Sequence, residues 1–224
     1  MVPFPVTVSP DILDLVTLRR DLRRQRAMLS RAAQAQAAER IARQLIHCRW
    51  FRAARHIAAY LPHRGEVDPM LMVDTARLAG KRLYLPRIHP HHPRCMDFLP
   101  WTPQTRLSPN RFGILEPHGV RVDTIPITRL DLVLTPLLGF DRQGRRLGMG
   151  GGYYDASFAF LRQRRHWHKP YLVGLAYEFQ GLEALPSRPW DIPLTAVITE
   201  RRLYSFCARH GTVHPVMIFP DEPA

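Results

Sequence analysis

Residues Asp131–Asp155 read D-L-V-L-T-P-L-L-G-F-D-R-Q-G-R-R-L-G-M-G-G-G-Y-Y-D. The opening D-L-V-L-T is a short apolar run of the kind that forms a strand buried on both faces. A long loop follows, in which Gly148, Gly150, Gly151 and Gly152 fall within five residues. From Tyr153 to about Arg165 the apolar spacing predicts an amphipathic helix. Strand, glycine loop and helix in this order are the unit of a parallel α/β sheet, and the loop then leaves the carboxyl end of a strand, where such sheets bind ligands. Glycine lets backbone N–H groups approach an anion without a Cβ in the way, and a helix N-terminus adds to the attraction. Arg145 and Arg146 stand before the glycines and Asp155 behind them, and cationic donors beside a carboxylate suit phosphate together with Mg²⁺. A tight turn would also use such glycines. The pattern is not a dinucleotide fingerprint, because the third glycine of G-x-G-x-x-G is absent, and no Lys-Ser/Thr closes it as a Walker loop. A nicotinamide-dependent dehydrogenase is disfavoured on that ground.

Working outward, H-I-A-A-Y-L at His56–Leu61 predicts a buried strand stopped by Pro62, and His63–Asp68 a polar turn. Asp68 and Pro69 predict the N-cap and first residue of a helix that Gly80 closes. With a strand at Arg82–Leu85 this makes a right-handed β-α-β unit. Proline-rich residues His89–Pro117 predict an excursion with one strand, Met96–Leu99. Further strands are expected at Tyr171–Ala176, Ala196–Thr199 and Leu203–Phe206. The expected fold is α/β, a three-layer, mostly parallel Rossmann-like sheet of six or seven strands flanked by helices. One domain spans residues 11–207, and 208–224 form a tail. At the other end, Leu18, Leu22 and Leu29 predict an amphipathic helix with a basic outer face, and Ser30 caps a second helix with the stripe Ala37, Ile41, Leu45.

The chain has 224 residues and ordinary globular composition, 46% hydrophobic and 23% charged, which excludes a disordered or fibrous protein. No apolar run approaches the ~20 residues of a membrane helix, and the amino terminus lacks a secretory pattern, so a cytoplasmic protein is expected. Cys48, Cys95 and Cys207 are scattered and odd in number, which fits reduced, inert thiols. His89, His91 and His92 share no zinc-site spacing with a cysteine or an acid. The formal charge is +13, from 32 basic and 19 acidic residues, and only Lys81 and Lys169 are lysines. Such an arginine excess suits a phosphate- or carboxylate-bearing partner, although codon preference produces the same ratio. It also makes a nucleic-acid-binding basic protein the alternative function, against which stands the absence of a recognition helix, RNP string or zinc finger.

The string R-L-G-x-G-G-G-Y-Y-D behind an apolar strand and Gly-Phe-Asp resembles the motif of the 5-formyltetrahydrofolate cyclo-ligase (methenyltetrahydrofolate synthetase) family. Leu18-Arg19, Gly65-Glu66-Val67-Asp68, Tyr84-Leu85-Pro86-Arg87, Phe112-Gly113-Ile114, Glu116-Pro117 and Trp190-Asp191-Ile192-Pro193 agree with it in order. The resemblance covers about Leu15–Phe206. It implies a cytoplasmic ligase of one-carbon metabolism that consumes ATP with Mg²⁺ and cyclises 5-formyltetrahydrofolate to 5,10-methenyltetrahydrofolate through an iminium phosphate. Residue by residue it implies that Arg146 and Asp155 are catalytic. ATP would meet Arg19, Arg145, Arg146, Gly148, Gly150, Gly151, Gly152, Tyr153 and Tyr154. The folate, with or without a polyglutamate tail, would meet Glu66, Asp68, Phe112 and Tyr153. Asp155 and Asp191 would hold Mg²⁺. Leu15 stands where many relatives have lysine, and Met149 and Gly151 where some have basic residues, so fewer cations meet the phosphates unless Arg145 and Arg23 compensate. Neither a membrane nor a nucleic-acid partner is expected.

Overall fold

The computed structural model describes residues 15–92, 94–119, 123–164 and 169–206. The expected tail at 208–224 and Cys207 lie outside them. Helices α1 (Leu15–Ala27) and α2 (Arg31–His47) meet at Ser30, whose hydroxyl accepts the Ala33 N–H at 3.2 Å, a cap worth ~1 kcal/mol over alanine. The short α3 (Arg49–Ala53) turns the chain into β1 (His56–Ala58). This strand ends three residues before the expected Leu61, and beyond it the Tyr60 hydroxyl donates to the Val67 carbonyl at 2.6 Å. Helix α4 (Met70–Leu78) follows. Pro69 occupies the cap position rather than the first helical one, and Asp68 Oδ1 accepts the Met70 N–H at 2.9 Å from two residues back. Gly80 closes this helix with φ +68°.

Strand β2 (Arg82–Ile88) lies parallel to β1, and β3 (Met96–Pro100) returns antiparallel to β2. The proline-rich excursion holds an unexpected hairpin, β4 (Leu107–Pro109) and β5 (Leu115–Pro117), whose turn is organised by Asn110 Oδ1 accepting the N–H groups of Phe112 and Ile114. Strand β6 (Leu132–Pro136) enters a second hairpin, β7 (Gly139–Phe140) and β8 (Arg146–Leu147). The helix expected to reach Arg165 is instead a single-turn α5 (Tyr153–Ser157) followed by a 3₁₀ segment, Ala159–Gln163. Phe158 leaves the helical path at φ −102°, ψ 14° and buries its ring completely near Phe98 and Tyr154. Strands β9 (Tyr171–Leu175), β10 (Ala196–Ile198) and β11 (Leu203–Ser205) complete a seven-stranded sheet of order β11-β10-β9-β6-β1-β2-β3. Only its two edge strands, β3 and β11, run antiparallel to their neighbours.

The core lies on both faces of this sheet. Ile41, Leu45, Met72 and Val73 from α2 and α4 cover one, and Phe158, Phe98 and Ile192 the other. The second outer layer is thinner than expected, built of short turns rather than long helices. Asp131 ties the amino ends of β1 and β6 together. Its Oδ2 accepts the N–H groups of Arg55 and His56, each at 2.9 Å, and its Oδ1 accepts from Lys169 at 2.6 Å.

From β1 the chain moves to β2 on one side, and from β6 to β9 on the other. Neighbouring parallel strands whose continuations diverge leave a crevice at their carboxyl ends, which is where open α/β sheets bind ligands. Here that crevice lies between the segment carrying Glu66 and the glycine loop.

Candidate active site

The hairpin before the glycines is fixed by Asp141, which is fully buried. Its Oδ1 accepts the N–H groups of Gln143 and Arg145, and its Oδ2 that of Leu185 at 2.9 Å. Burial raises its pKa despite these bonds and the nearby Arg145. Gly144 in the turn has φ +76°, and a Cβ there would meet the Phe206 ring at 2.8 Å, so no other residue fits. Arg145 serves the same scaffold, donating to the Leu185 carbonyl at 2.7 Å. Its guanidinium is therefore engaged beside the site rather than open to phosphate.

Arg146 and Asp155 come together. Arg146 Nη2 donates to Asp155 Oδ1 at 2.6 Å, and Nη1 to the Ile192 carbonyl, on a side chain only 6% exposed. The Ile192 N–H donates to the same Asp155 oxygen at 3.0 Å. Burial pulls the Arg146 pKa down, and Asp155 chiefly opposes the shift. Asp155, which has no evident structural partner in the sequence, thus has two. Asp191 precedes Ile192 on the strap of residues 188–193, where its Oδ2 accepts the Arg188 N–H at 2.8 Å. Both carboxylates line a cleft of ≈ 140 Å³ with Arg145 and Arg146. Asp155 Oδ2 and Asp191 Oδ1 make no bond to another described residue. Two hard carboxylate oxygens facing one cleft, with phosphates and water to complete six ligands, fit Mg²⁺.

The glycine loop is reached from α1. Arg19 Nε donates to the Gly148 carbonyl at 3.0 Å, and Arg23 Nη2 lies 3.7 Å from the Met149 sulfur. The Arg19 pKa is lowered by burial and then by the charges of Arg23 and Arg188. Arg188, on the strap, carries no motif that marks it in the sequence. Gly150 and Gly152 adopt φ +103° and +69°. At Gly151 a Cβ would stand 2.8 Å from the Tyr153 ring, so the ring folds over the loop. With α5 only five residues long, its dipole adds little. The attraction for an anion rests on loop N–H groups and arginines.

The aromatic pair divides. Tyr153 turns outward to the β4–β5 turn, with its hydroxyl accepting from Arg111 and its ring 6.1 Å from Phe112. Tyr154, expected as an open face, turns inward, stacks on Phe158 and lies 5.9 Å from the Arg146 guanidinium. Burial and then the charge of Glu66 raise its pKa, while that of Arg146 lowers it. On the far side Glu66 Oε2 accepts the His63 N–H at 3.1 Å, and its Oε1 lies 3.8 Å from Arg26 Nη1. Asp68 is exposed and holds the start of α4. His89 accepts the N–H groups of His91 and His92 on Nδ1, which organises the H-P-H-H-P turn.

Residues 14–200 match the model of the 5-formyltetrahydrofolate cyclo-ligase family. The chain belongs to that family. It is 36% identical over 183 residues to the 5-formyltetrahydrofolate cyclo-ligase of Haemophilus influenzae, covering 81% of this chain and 95% of the relative. The Escherichia coli K12 cyclo-ligase is 41% identical over 153 residues, 68% of this chain and 82% of that one. The solution structure of Aquifex aeolicus 5,10-methenyltetrahydrofolate synthetase superposes with a TM-score of 0.72 at 29% identity, over 92% of this chain and 99% of its own. In this cyclo-ligase family member, α1, the glycine loop and the Trp190–Pro193 strap lie within the matched span. No helix of the described residues is long and apolar enough to cross a membrane.

Proposed function

We propose that this cyclo-ligase converts 5-formyltetrahydrofolate to 5,10-methenyltetrahydrofolate with consumption of ATP and release of ADP and phosphate. The observation that carries the proposal is that one face of α1 spans the two sides of the crevice, with Arg19 and Arg23 on the glycine loop and Arg26 3.8 Å from Glu66. A formamide oxygen is a poor leaving group. Transfer of the γ-phosphoryl group to the formyl oxygen forms a P–O bond, breaks the bond to ADP and leaves an iminium phosphate. Nitrogen-10 then attacks the formyl carbon, the C–O bond breaks as phosphate departs, and the nitrogen-10 proton is lost to give the methenyl cation. Such chemistry needs positioning and charge stabilisation and no covalent nucleophile.

Each residue has work in this scheme. Loop N–H groups with Arg19, Arg23 and Arg188 hold the triphosphate. Arg146 orients Asp155, and Asp155 and Asp191 would bind Mg²⁺, which supplies charge neutralisation on the phosphates. Glu66 accepts N–H donors of the folate head group, while Phe112 and Tyr153 flank its aromatic body. A second cleft of ≈ 470 Å³ beside Arg111 is lined by His91, His92 and Arg94, a fitting place for the carboxylates of a polyglutamate tail. Arg87 is not available for that task, since it is paired with Asp97 at 3.0 Å. The domain spanning 11–207 acts as one catalytic unit in the cytoplasm. In α1, Arg19, Arg23 and Arg26 are at least partly buried and only Arg20 and Arg24 are exposed, which weighs against the nucleic-acid alternative.

The deciding experiment supplies purified protein with ATP, Mg²⁺ and 5-formyltetrahydrofolate and follows the near-ultraviolet absorbance of the methenyl product alongside ADP. One ADP per methenyl group is expected. Folate-independent ADP release, or none at all, overturns the proposal.

A further inference from the structure

Helix α1 carries Arg19, Arg23 and Arg26 at i, i+4 and i+7, one face of a helix. The first two meet the glycine loop. The third ends elsewhere, with its side chain 1% exposed and Nη1 3.8 Å from Glu66 Oε1, itself on a side chain 11% exposed. That separation is an ionic contact too long for a hydrogen bond. Arg26 Nε and Nη1 have no hydrogen-bond partner among the described residues. A leucine or methionine would pack a helix end at lower cost. What only the guanidinium supplies is a positive charge beside Glu66.

We propose that Arg26 is a positioning residue for the folate side of the site, holding the Glu66 carboxylate where it meets the substrate head group. The inference rests on the proposed function, because it takes Glu66 as a folate contact. The loop around Glu66 is already pinned by its backbone. The Tyr60 hydroxyl donates to Val67 and the Tyr177 hydroxyl to the Gly65 carbonyl at 3.2 Å, and Gly65 turns the chain at φ +77°. What remains to be set is the carboxylate's charge. Around it stand Arg26 from α1, Tyr154 from α5, Tyr60 beyond β1 and Tyr177 beyond β9, with His63, Arg64 and Asp68 on its own segment. Burial raises the Glu66 pKa, and Arg26 is the largest influence opposing it, followed by the His63 N–H. Removing the cation leaves a buried carboxylate that takes up a proton at higher pH and can no longer accept two donors.

The test compares wild type with Arg26→Gln, Arg26→Lys, Glu66→Gln and the double variant R26Q/E66Q, measuring KM for 5-formyltetrahydrofolate and for ATP from about pH 5.5 to 9. Losing one partner of a buried charge pair predicts about a 30-fold rise in folate KM for R26Q at neutral pH. The ATP KM should stay within about twofold, and the acid limb of kcat/KM for folate should move to higher pH. In the E66Q background R26Q should move no limb. Lysine keeps the charge on a shorter reach, so R26K should shift both quantities in the same direction by less, and it decides the matter if R26Q does not fold. An unmoved limb with unchanged folate KM, or equal rises for ATP and folate, overturns the assignment, as does an unchanged folate KM in E66Q. An inactive wild type would instead refute the proposed reaction.

Discussion

Asp155→Asn separates the proposed metal role of the carboxylate from its structural one. Asp155 uses one oxygen, Oδ1, for both of its fastenings, Arg146 at 2.6 Å and the Ile192 N–H at 3.0 Å. An asparagine whose carbonyl takes that place keeps both bonds and turns its NH₂ toward the cleft, where the free oxygen would meet the proposed Mg²⁺. Replacing a hard anionic ligand by a donor repels Mg²⁺. Turnover should fall by ~10²–10³-fold, on the scale of one lost electrostatic contact in a transition state. The fold bears a smaller cost. Arg146 loses its counter-charge but keeps the Ile192 carbonyl and the field of Asp191, so roughly 2 kcal/mol is expected rather than the 3–5 of a wholly orphaned ion. In a domain of this size that lowers Tm by about 4–8 °C. Initial rates across a Mg²⁺ titration, with thermal melts of both proteins, measure the two effects. Turnover unchanged at limiting Mg²⁺ would refute the reasoning, and so would a collapse in Tm with Mg²⁺ affinity intact.

Gly151→Ala places a Cβ 2.8 Å from the Tyr153 ring and should displace that ring from the loop, raising KM for folate and ATP by about 10-fold with little change in Tm. Asp131 carries a pKa below the ordinary carboxylate value, because bonds from Lys169 and the His56 and Arg55 amides outweigh burial. A depressed folded pKa stabilises above the unfolded value near 3.9 and is lost as pH falls through the folded one, so Asp131→Ala should lower Tm at pH 7 and converge with wild type in acid. A triglutamate substrate should show a lower KM than a monoglutamate, by about 1.4- to 5-fold per exposed charge pair, with the difference shrinking at high salt. Equal values at both ionic strengths would remove the cleft lined by Arg94 and Arg111 from substrate binding.

The sheet was legible because its strands are unbroken apolar runs, such as Leu132–Thr135, all fully buried, and such runs have few alternatives between turn residues. The β4–β5 hairpin had no such mark. Leu107 and Leu115 are exposed and its residues do not alternate in polarity. The break after α5 was hidden for the opposite reason, since Phe158 keeps helical spacing on the apolar face while its backbone departs from it. Within the site, residue types could place the glycines and the two aspartates together. They could not show that Arg146 turns toward a carboxylate nine residues on instead of toward solvent, because that choice depends on Ile192 arriving from a distant strap.

The same dependence explains α1, whose arginines look like a solvated outer face. A helix laid over the end of a sheet meets loops as well as side-chain core. Leu22 fills the apolar part of its contact, against Leu138, Leu147, Leu182 and Leu185, while Arg19, Arg23 and Arg26 meet a carbonyl, a thioether and a carboxylate. In the proposed ATP site, Arg19 and Arg23 of this helix and Arg188 stand in for the cations absent at Leu15, Met149 and Gly151. Those cations repel one another without an anion, and their repulsion adds to burial, the larger cause, in lowering the Arg19 pKa. A triphosphate entering the loop relieves that repulsion while it forms its own bonds. In the proposed site, cations gathered from α1 and the strap therefore favour ATP.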